Sequence, residues 1–247
     1  MNFEYQLLSE EETQELTASK ISGWLLNYPK HLDALFEVSY FLGQAKEVES
    51  SEGYFYTIGQ GALIRLPYTI RAACLLIEKG FYFEAVSLVR NLYESLFQLR
   101  YFHKYPDKIK SHIMGKPRIR FKVMFEEIAP GFYEQEYGNA LSEFAHGGAT
   151  SSIFRTKYTS PAKGVTTMGS QYNEEGCSFS LNQIVAILFG ILNYVPIFFP
   201  QYVSLVPPET EKKRKDSLAW LESGMKDHLK GKPKSSRFYN VVNPLIY

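Results

Sequence analysis

Residues 82–104 read YFEAVSLVRNLYESLFQLRYFHK, and this stretch is the strongest indication of the fold class. Apolar residues recur in it at three- and four-residue steps and cover most of a helical wheel, which predicts a largely buried α-helix. The helix is expected to end before Pro106, because the residue preceding a proline is biased away from the helical region. Helical signals also dominate the rest of the chain, so the sequence predicts an all-α protein.

The remaining chain completes a predicted bundle of about seven to nine helices. Ser9 and the three acids after it form a capping box that opens a first helix. A third helix contains Pro67, which is expected to kink or split it. The other predicted helices cover residues 30–48, 107–113, 117–128, 132–145, 180–204 and 208–229. A long Gly/Ser/Thr-rich insertion, residues 147–177, precedes the C-terminal helices; it is expected to be functional or mobile and could contain short strands such as 153–155.

The charge is unevenly distributed along the 247 residues. We predict an N-terminal helix at 1–29, a helical core at 30–205 that includes the insertion, and a basic C-terminal helix and tail at 206–247. Residues 1–53 contain ten acids and three lysines, whereas residues 210–237 contain nine bases and four acids. The basic run with Lys213 and Arg214 is either a contact for RNA or DNA or a solvated helix face followed by a tail.

The apolar segment 184–206 is long enough to span a bilayer. Pro196 and Pro200 lie one turn apart in it, and strong flanking charges are lacking, so a buried helix that bends at Pro196 is favoured over a membrane anchor. The N-terminus has neither a basic start nor an apolar run, which predicts a cytoplasmic protein. With two cysteines and no CxxC pair, neither a disulfide scaffold nor a zinc site is expected, and no motif calls for another metal or a cofactor.

A polar stripe runs along the helix at 82–104 and forms the first candidate site. It consists of Ser87, Arg90, Asn91, Glu94 and Gln98. Arg90 can bind a phosphate or carboxylate, Glu94 can orient it or act as a base, and Asn91 adds a binding group. The alternative is the solvent face of an amphipathic helix with an ordinary ion pair, although the cation-first order makes that pair a weak helix stabiliser.

Two further segments could complete the site. His146 follows the predicted helix 132–145, with Ser142 one turn earlier, and is either an acid/base or phosphate-binding residue or part of a helix end closed by Gly147. Arg71 lies among largely apolar neighbours and could neutralise Glu94 or another buried acid.

These motifs carry a family resemblance. The pattern Glu84-Ala85-x-x-Leu88-x-Arg90-x-Leu92-Tyr93-Glu94, followed by Ser142-x-x-x-His146-Gly147, resembles an uncharacterised bacterial all-helical family. Over roughly residues 30–205 the chain is also similar in outline to the HEPN domains. That resemblance implies a commonly dimeric helical bundle, and many HEPN domains are RNases of toxin–antitoxin and phage-defence systems. Their Arg-polar-x4–6-His signature is met at Arg90-Asn91 but lacks its histidine, so His146 could supply the imidazole only through folding.

Three functions follow as expectations. The first is a HEPN-like protein of a bacterial stress or defence system that binds RNA or a nucleotide as a homodimer, without a need for catalysis. The second is a metal-independent RNase that uses Arg90, Glu94 and His146. The third is a non-catalytic adaptor whose aromatic-rich surface binds another protein, such as one encoded beside it. The first two place Asn91, Arg71, Ser142, Lys213 and Arg214 at the binding surface.

Overall fold

The computed structural model describes residues 3–44, 50–115, 118–142, 156–160, 163–166 and 170–229. Within these ranges the chain forms nine α-helices, which confirms the predicted all-α class. They are α1 (Phe3–Lys20), α2 (Ser22–Leu42), α3 (Ser50–Glu78), α4 (Tyr82–Lys104), α5 (Ile109–Ile113), α6 (Phe121–Ile128), α7 (Glu174–Phe198), α8 (Tyr202–Leu205) and α9 (Pro208–Leu229). A 3-10 turn spans Pro106–Lys108, and a π-helical segment spans Tyr133–Leu141.

The insertion contains a short hairpin. Strands β1 (Thr156–Ser160) and β2 (Lys163–Thr166) pair in antiparallel orientation. The suggested strand at 153–155 lies outside the described residues. The insertion also ends earlier than predicted, because α7 begins at Glu174, where the Asn173 side chain accepts a hydrogen bond from the Gly176 amide at 2.7 Å. An asparagine at this position satisfies one of the free amides of the first helical turn.

The first helix begins earlier than the capping pattern predicts, and a second helix begins within residues 1–29. It begins at Phe3, so Ser9 lies inside α1 and does not cap it. The Ser9 hydroxyl instead donates to the Ser170 carbonyl at 2.6 Å, which ties α1 to the segment before α7. The chain breaks at Ile21 and starts α2 at Ser22. The capping pattern is local, and here a contact with a distant segment outweighs it.

Pro67 neither ends nor splits its helix, since α3 runs without interruption from Ser50 to Glu78. A proline removes the donor that the carbonyl four residues earlier normally receives. That carbonyl belongs to Leu63, and the buried Ser39 hydroxyl of α2 lies 3.3 Å from its oxygen while also lying 2.7 Å from the Leu35 oxygen. The Ser39 hydroxyl, from a neighbouring helix, therefore partly replaces the backbone N–H donor that the Leu63 carbonyl lacks because of Pro67.

The core is built around α3, α4 and α7, which pack against one another. One continuous set of buried side chains extends from Trp24 to Met225. Stacked rings of Phe97, Phe125 and Phe132 fill the space between α4, α6 and the π-helical segment, with centroids 4.2–5.7 Å apart. Such aromatic contacts add to the free energy of burying the rings.

Helix α7 is a core helix. Among the described helices it is the one long and apolar enough to cross a membrane, and 61% of its most apolar window is buried within the protein. The Tyr93 hydroxyl of α4 donates to the buried Gln183 side chain of α7 at 2.6 Å, so this polar side chain is satisfied within the protein. The helix continues through Pro196 and ends at Phe198.

Candidate nucleic-acid interface

Arg90 and Glu94 meet on α4 as the sequence predicts, and Tyr137 joins them from the π-helical segment. The Arg90 Nε atom lies 3.4 Å from Glu94 Oε1 and donates to the Tyr137 hydroxyl at 2.9 Å. That hydroxyl donates in turn to Glu94. Both charged side chains are 22% exposed, so solvent reaches the pair, and we call Arg90, Glu94 and Tyr137 together the notch. The arrangement is a tyrosine-bridged ion pair at the rim of the core.

Ring packing fixes the position of Tyr137. Its ring centroid lies 4.5 Å from that of Phe125 and 5.3 Å from that of Tyr133, and the Arg90 guanidinium lies 4.9 Å from the same ring. Burial, and then the hydrogen bond to Glu94, raise the pKa of Tyr137, so its hydroxyl stays protonated at neutral pH. π-Helical segments are rare in proteins, and those that occur often lie at functional sites.

The other residues predicted for this site are only partly placed. Asn91 is exposed beside Arg90, and Ser142 is half-buried directly after the π-helical segment. His146 lies outside the described residues. Whether an imidazole joins the notch therefore stays a prediction.

Arg71 does not pair with Glu94, the first of the two partners that the sequence suggested. It is exposed on α3, and its charge acts on the hydroxyl of Tyr28. Glu94 is instead bound by Arg90 and Tyr137. The apolar neighbours of Arg71 in sequence belong to the buried side of α3, whereas Arg71 lies on its other side.

Arg214 has a structural role in place of the predicted RNA contact. Only 7% of it is exposed, and it binds both carboxylate oxygens of Glu211 at 2.8 Å. Its Nη1 also donates to the Leu192 carbonyl at 2.6 Å. Pro196, four residues later, has no N–H to offer that carbonyl. Lys213, in contrast, points outward and binds Glu37 of α2.

Residues 104–122 contain seven lysines and arginines and a single acid, Asp107. Basic residues are therefore denser here than in the C-terminal run. Six of them are described, and we call them the basic surface: Lys104, Lys108, Lys110, Arg118, Arg120 and Lys122. All are exposed except Lys108, which is half-buried. None of these residues was among the candidates predicted from the sequence, although the charge count of the stretch alone would have indicated them.

Tyrosine rings lie between these cations. The Lys108 Nζ atom lies 4.3 Å from the ring centroid of Tyr105 and 3.3 Å from the hydroxyl of Tyr101. The Lys104 Nζ atom lies 5.2 Å from the Tyr105 ring. Cations alternating with aromatic rings form the surface that single-stranded nucleic acids bind, through phosphates and stacked bases.

The basic surface is continuous with the notch. Lys122, which pairs with Glu134 at 3.1 Å, lies 5.5 Å from the Tyr133 ring, and that ring packs on Tyr137. On the other side, Gln98 of the polar stripe lies 3.3 Å from His112 Nε2, and Ile119 donates to His112 Nδ1 at 3.4 Å. Burial, and then the charge of Arg118, lower the pKa of His112, so this histidine is neutral at pH 7.

No group of three or more His, Cys, Asp or Glu side chains in the described part of the chain is arranged to hold a metal ion. Residues 58–128 match the sequence profile of a family of unknown function, DUF5677. The matched stretch includes most of α3, all of α4 and the basic surface. No curated protein and no solved structure shows significant similarity to the chain.

Proposed function

We propose that the protein binds single-stranded RNA across the basic surface and the adjoining Arg90–Glu94–Tyr137 notch, in a bacterial stress or defence system. The observation that carries this proposal is the seven-to-one excess of cations over acids in residues 104–122. Cations that neutralise phosphates supply most of the affinity of a nonspecific nucleic-acid site. The HEPN-like outline and the homodimer expected from the sequence belong to the same proposal.

The neighbouring tyrosines favour a single-stranded ligand. Tyr101 is buried, while Tyr105 is half-buried between Lys104 and Lys108, so Tyr105 is the ring placed for stacking on an unpaired base. Stacking on an aromatic side chain contributes roughly 1–3 kcal/mol per base and tolerates any sequence. A duplex keeps its bases stacked internally and offers this surface its phosphates alone.

Charge reversal tests the binding surface. The triple variant Lys110→Glu, Arg118→Glu, Arg120→Glu changes three exposed side chains and is expected to weaken RNA binding roughly 100-fold at low salt. The measurement is fluorescence anisotropy with a labelled single-stranded RNA over a salt series. The slope of log K against log salt should also become shallower.

A matched triple variant controls for net charge. Lys20→Glu, Lys212→Glu, Lys215→Glu alters three exposed lysines elsewhere by the same amount, so it should retain affinity within about threefold. If this variant loses binding and the first retains it, the interface lies at these lysines and the proposal is overturned. RNA that fails to bind the folded wild-type protein also overturns it.

A catalytic version of the proposal assigns cleavage to the notch. Arg90 would contact the scissile phosphate, and Glu94 would accept the proton of the attacking 2′-hydroxyl. The 2′-oxygen then bonds to phosphorus while the 5′-oxygen leaves and takes up a proton from Tyr137 or from His146. The products are a 2′,3′-cyclic phosphate and a 5′-hydroxyl end, and the step needs no metal.

Cleavage in the presence of EDTA tests this version. Wild-type protein is expected to produce cyclic-phosphate ends, and Arg90→Ala and Glu94→Gln each to slow the reaction at least about 100-fold. Comparison of Tyr137→Phe with His146→Ala identifies the proton donor. Ser95→Ala serves as the control, because this hydroxyl lies on the same helix and donates to a carbonyl of that helix. If the RNA stays uncut although all proteins are folded, the catalytic version is rejected and the binding proposal stands alone.

A second candidate function rests on an exposed apolar face. Phe36 and Tyr40 of α2 lie beside Ile64 and Tyr68 of α3, with the Phe36 and Tyr68 rings 5.1 Å apart. Tyr40 and Tyr68 are 62% and 61% exposed. Contiguous exposed apolar residues mark protein contacts. This face supports the adaptor function, or the homodimer contact, and becomes the leading candidate if the RNA experiment fails.

A further inference from the structure

A cavity of about 410 Å³ lies between α2 and α9, on elements separate from the basic surface. Its lining includes Trp220, His31, Lys30, Lys213, Asp33 and Asp216. This volume is in the lower part of the range of small-molecule sites, roughly 300–1,000 Å³. A ligand of one or two rings therefore fits it, and a folded macromolecular segment does not.

Aromatic rings form one side of the cavity. The ring centroids of His31 and Trp220 are 4.9 Å apart, and both lie close to Trp24, at 6.2 and 6.1 Å. Trp24 is buried, whereas Trp220 is 37% exposed. The indole of Trp220 thus has a firm aromatic backing and an accessible part at the cavity, which suits stacking by a planar ring.

His31 is the unexplained group at this cavity. Only 3% of it is exposed, and neither ring nitrogen has a hydrogen-bond partner among the described residues. A buried polar atom without a hydrogen-bond partner destabilises the folded protein. Burial, and then the charge of Lys30, lower the pKa of His31 to about 4, so the ring is neutral and offers one donor and one acceptor.

The charges at the cavity are balanced. Two lysines, Lys30 and Lys213, face two carboxylates, Asp33 and Asp216. The lysines are also engaged by neighbours: Lys30 donates to Asn27 at 3.2 Å, and Lys213 binds Glu37. A polyphosphate needs an excess of unpaired cations, so the cavity favours a ligand with little net charge.

We propose that this cavity binds a nucleobase or nucleoside, whose base stacks on Trp220 and whose edge hydrogen-bonds to a ring nitrogen of His31. A base edge carries both donors and acceptors, so one of them can pair with a single ring nitrogen of His31 in either tautomer. Both nitrogens are shielded from water in this structure, so the proposal requires the partly exposed Trp220 ring to turn when the ligand binds. The proposal is independent of RNA binding at the basic surface.

Titration with adenosine, guanosine, cytidine and uridine tests this site, by saturation-transfer NMR and calorimetry on the full chain. At least one nucleoside is expected to bind with a Kd below about 1 mM. Trp220→Leu and His31→Phe should each weaken it at least about tenfold, since they remove the stacking ring and the hydrogen-bond partner. Tyr54→Leu removes an exposed ring outside the cavity and should leave the affinity unchanged.

Two sugar ligands and a melting curve distinguish base recognition from sugar binding and from loss of folding. Ribose and ribose 5-phosphate carry no base and should not bind; binding of either as tight as the nucleoside would overturn the proposal. His31→Phe should raise the melting temperature of the ligand-free protein, because it removes two buried nitrogens without hydrogen-bond partners. A loss of nucleoside binding in this variant is then not caused by unfolding. No saturable nucleoside binding by the folded wild-type protein also rejects the site.

Discussion

Replacing Arg214 by methionine is expected to lower the free energy of unfolding by about 3–5 kcal/mol. The change leaves the buried Leu192 carbonyl without its donor and removes the bidentate partner of Glu211. In the intact protein the hydrogen bonds from Arg214, together with the one from the Tyr202 hydroxyl, lower the pKa of Glu211 to about 2. Urea denaturation followed by circular dichroism gives the loss as a shift of the midpoint.

Two companion variants test the cause of the loss. Lys215→Met removes an exposed cation, 67% accessible, that contacts the same carboxylate, and should change stability by less than about 1 kcal/mol. Pro196→Ala restores an N–H for the Leu192 carbonyl. The cost of Arg214→Met should therefore be smaller in the Pro196→Ala background than in the wild type. An equal cost in both backgrounds would show that the carbonyl contact contributes little.

Gly80→Ala is expected to cost about 3 kcal/mol or more. Gly80 connects α3 to α4 with a φ of +77°, a region that costs a side-chain-bearing residue roughly 1–2 kcal/mol. An added Cβ would also lie 2.7 Å from the Gln171 carbonyl oxygen and 2.8 Å from Thr13 Cγ2. The backbone of the segment before α7 would have to move, so the cost exceeds that of the dihedral angle alone.

Two glycines separate the contributions to this cost. Gly115 has a similar φ of +72° with open space around it, so Gly115→Ala should cost only about 1–2 kcal/mol. Gly61 lies in α3 and also has open space, so Gly61→Ala should stabilise the protein by about 0.5–1 kcal/mol. The same denaturation experiment measures all three. If Gly80→Ala costs no more than Gly115→Ala, the contact with Gln171 is not tight.

The candidate site could be predicted from the sequence only in part. Arg90 and Glu94 are one turn apart on a single helix, so local geometry brings them together whatever the rest of the chain does. Tyr137 lies more than forty positions away and reaches them through a π-helical segment that no periodicity indicates. The charge of residues 104–122 is visible in the sequence, but its link to the notch through Tyr133 requires the packed rings.

Arg214 was predicted to lie at the binding surface, but it is buried. Its place in the run Lys212-Lys213-Arg214-Lys215 suggested a surface residue, since four cations in a row are usually solvated. One turn of a helix nevertheless points in several directions, and the position that faces α7 is that of Arg214. Composition cannot tell which member of such a run faces the core.

The all-α class and the position of the central helix α4 follow from the amino-acid sequence alone, because the repeat of apolar residues matches the helical period and is a local property. The continuation of α3 and α7 through their prolines, in contrast, depends on how the helices pack. The carbonyls that Pro67 and Pro196 leave without a backbone donor lie near Ser39 and Arg214, which are 24 and 22 positions away from Leu63 and Leu192. At both of these carbonyls the donor comes from another helix, and it is in place only when the chain has folded.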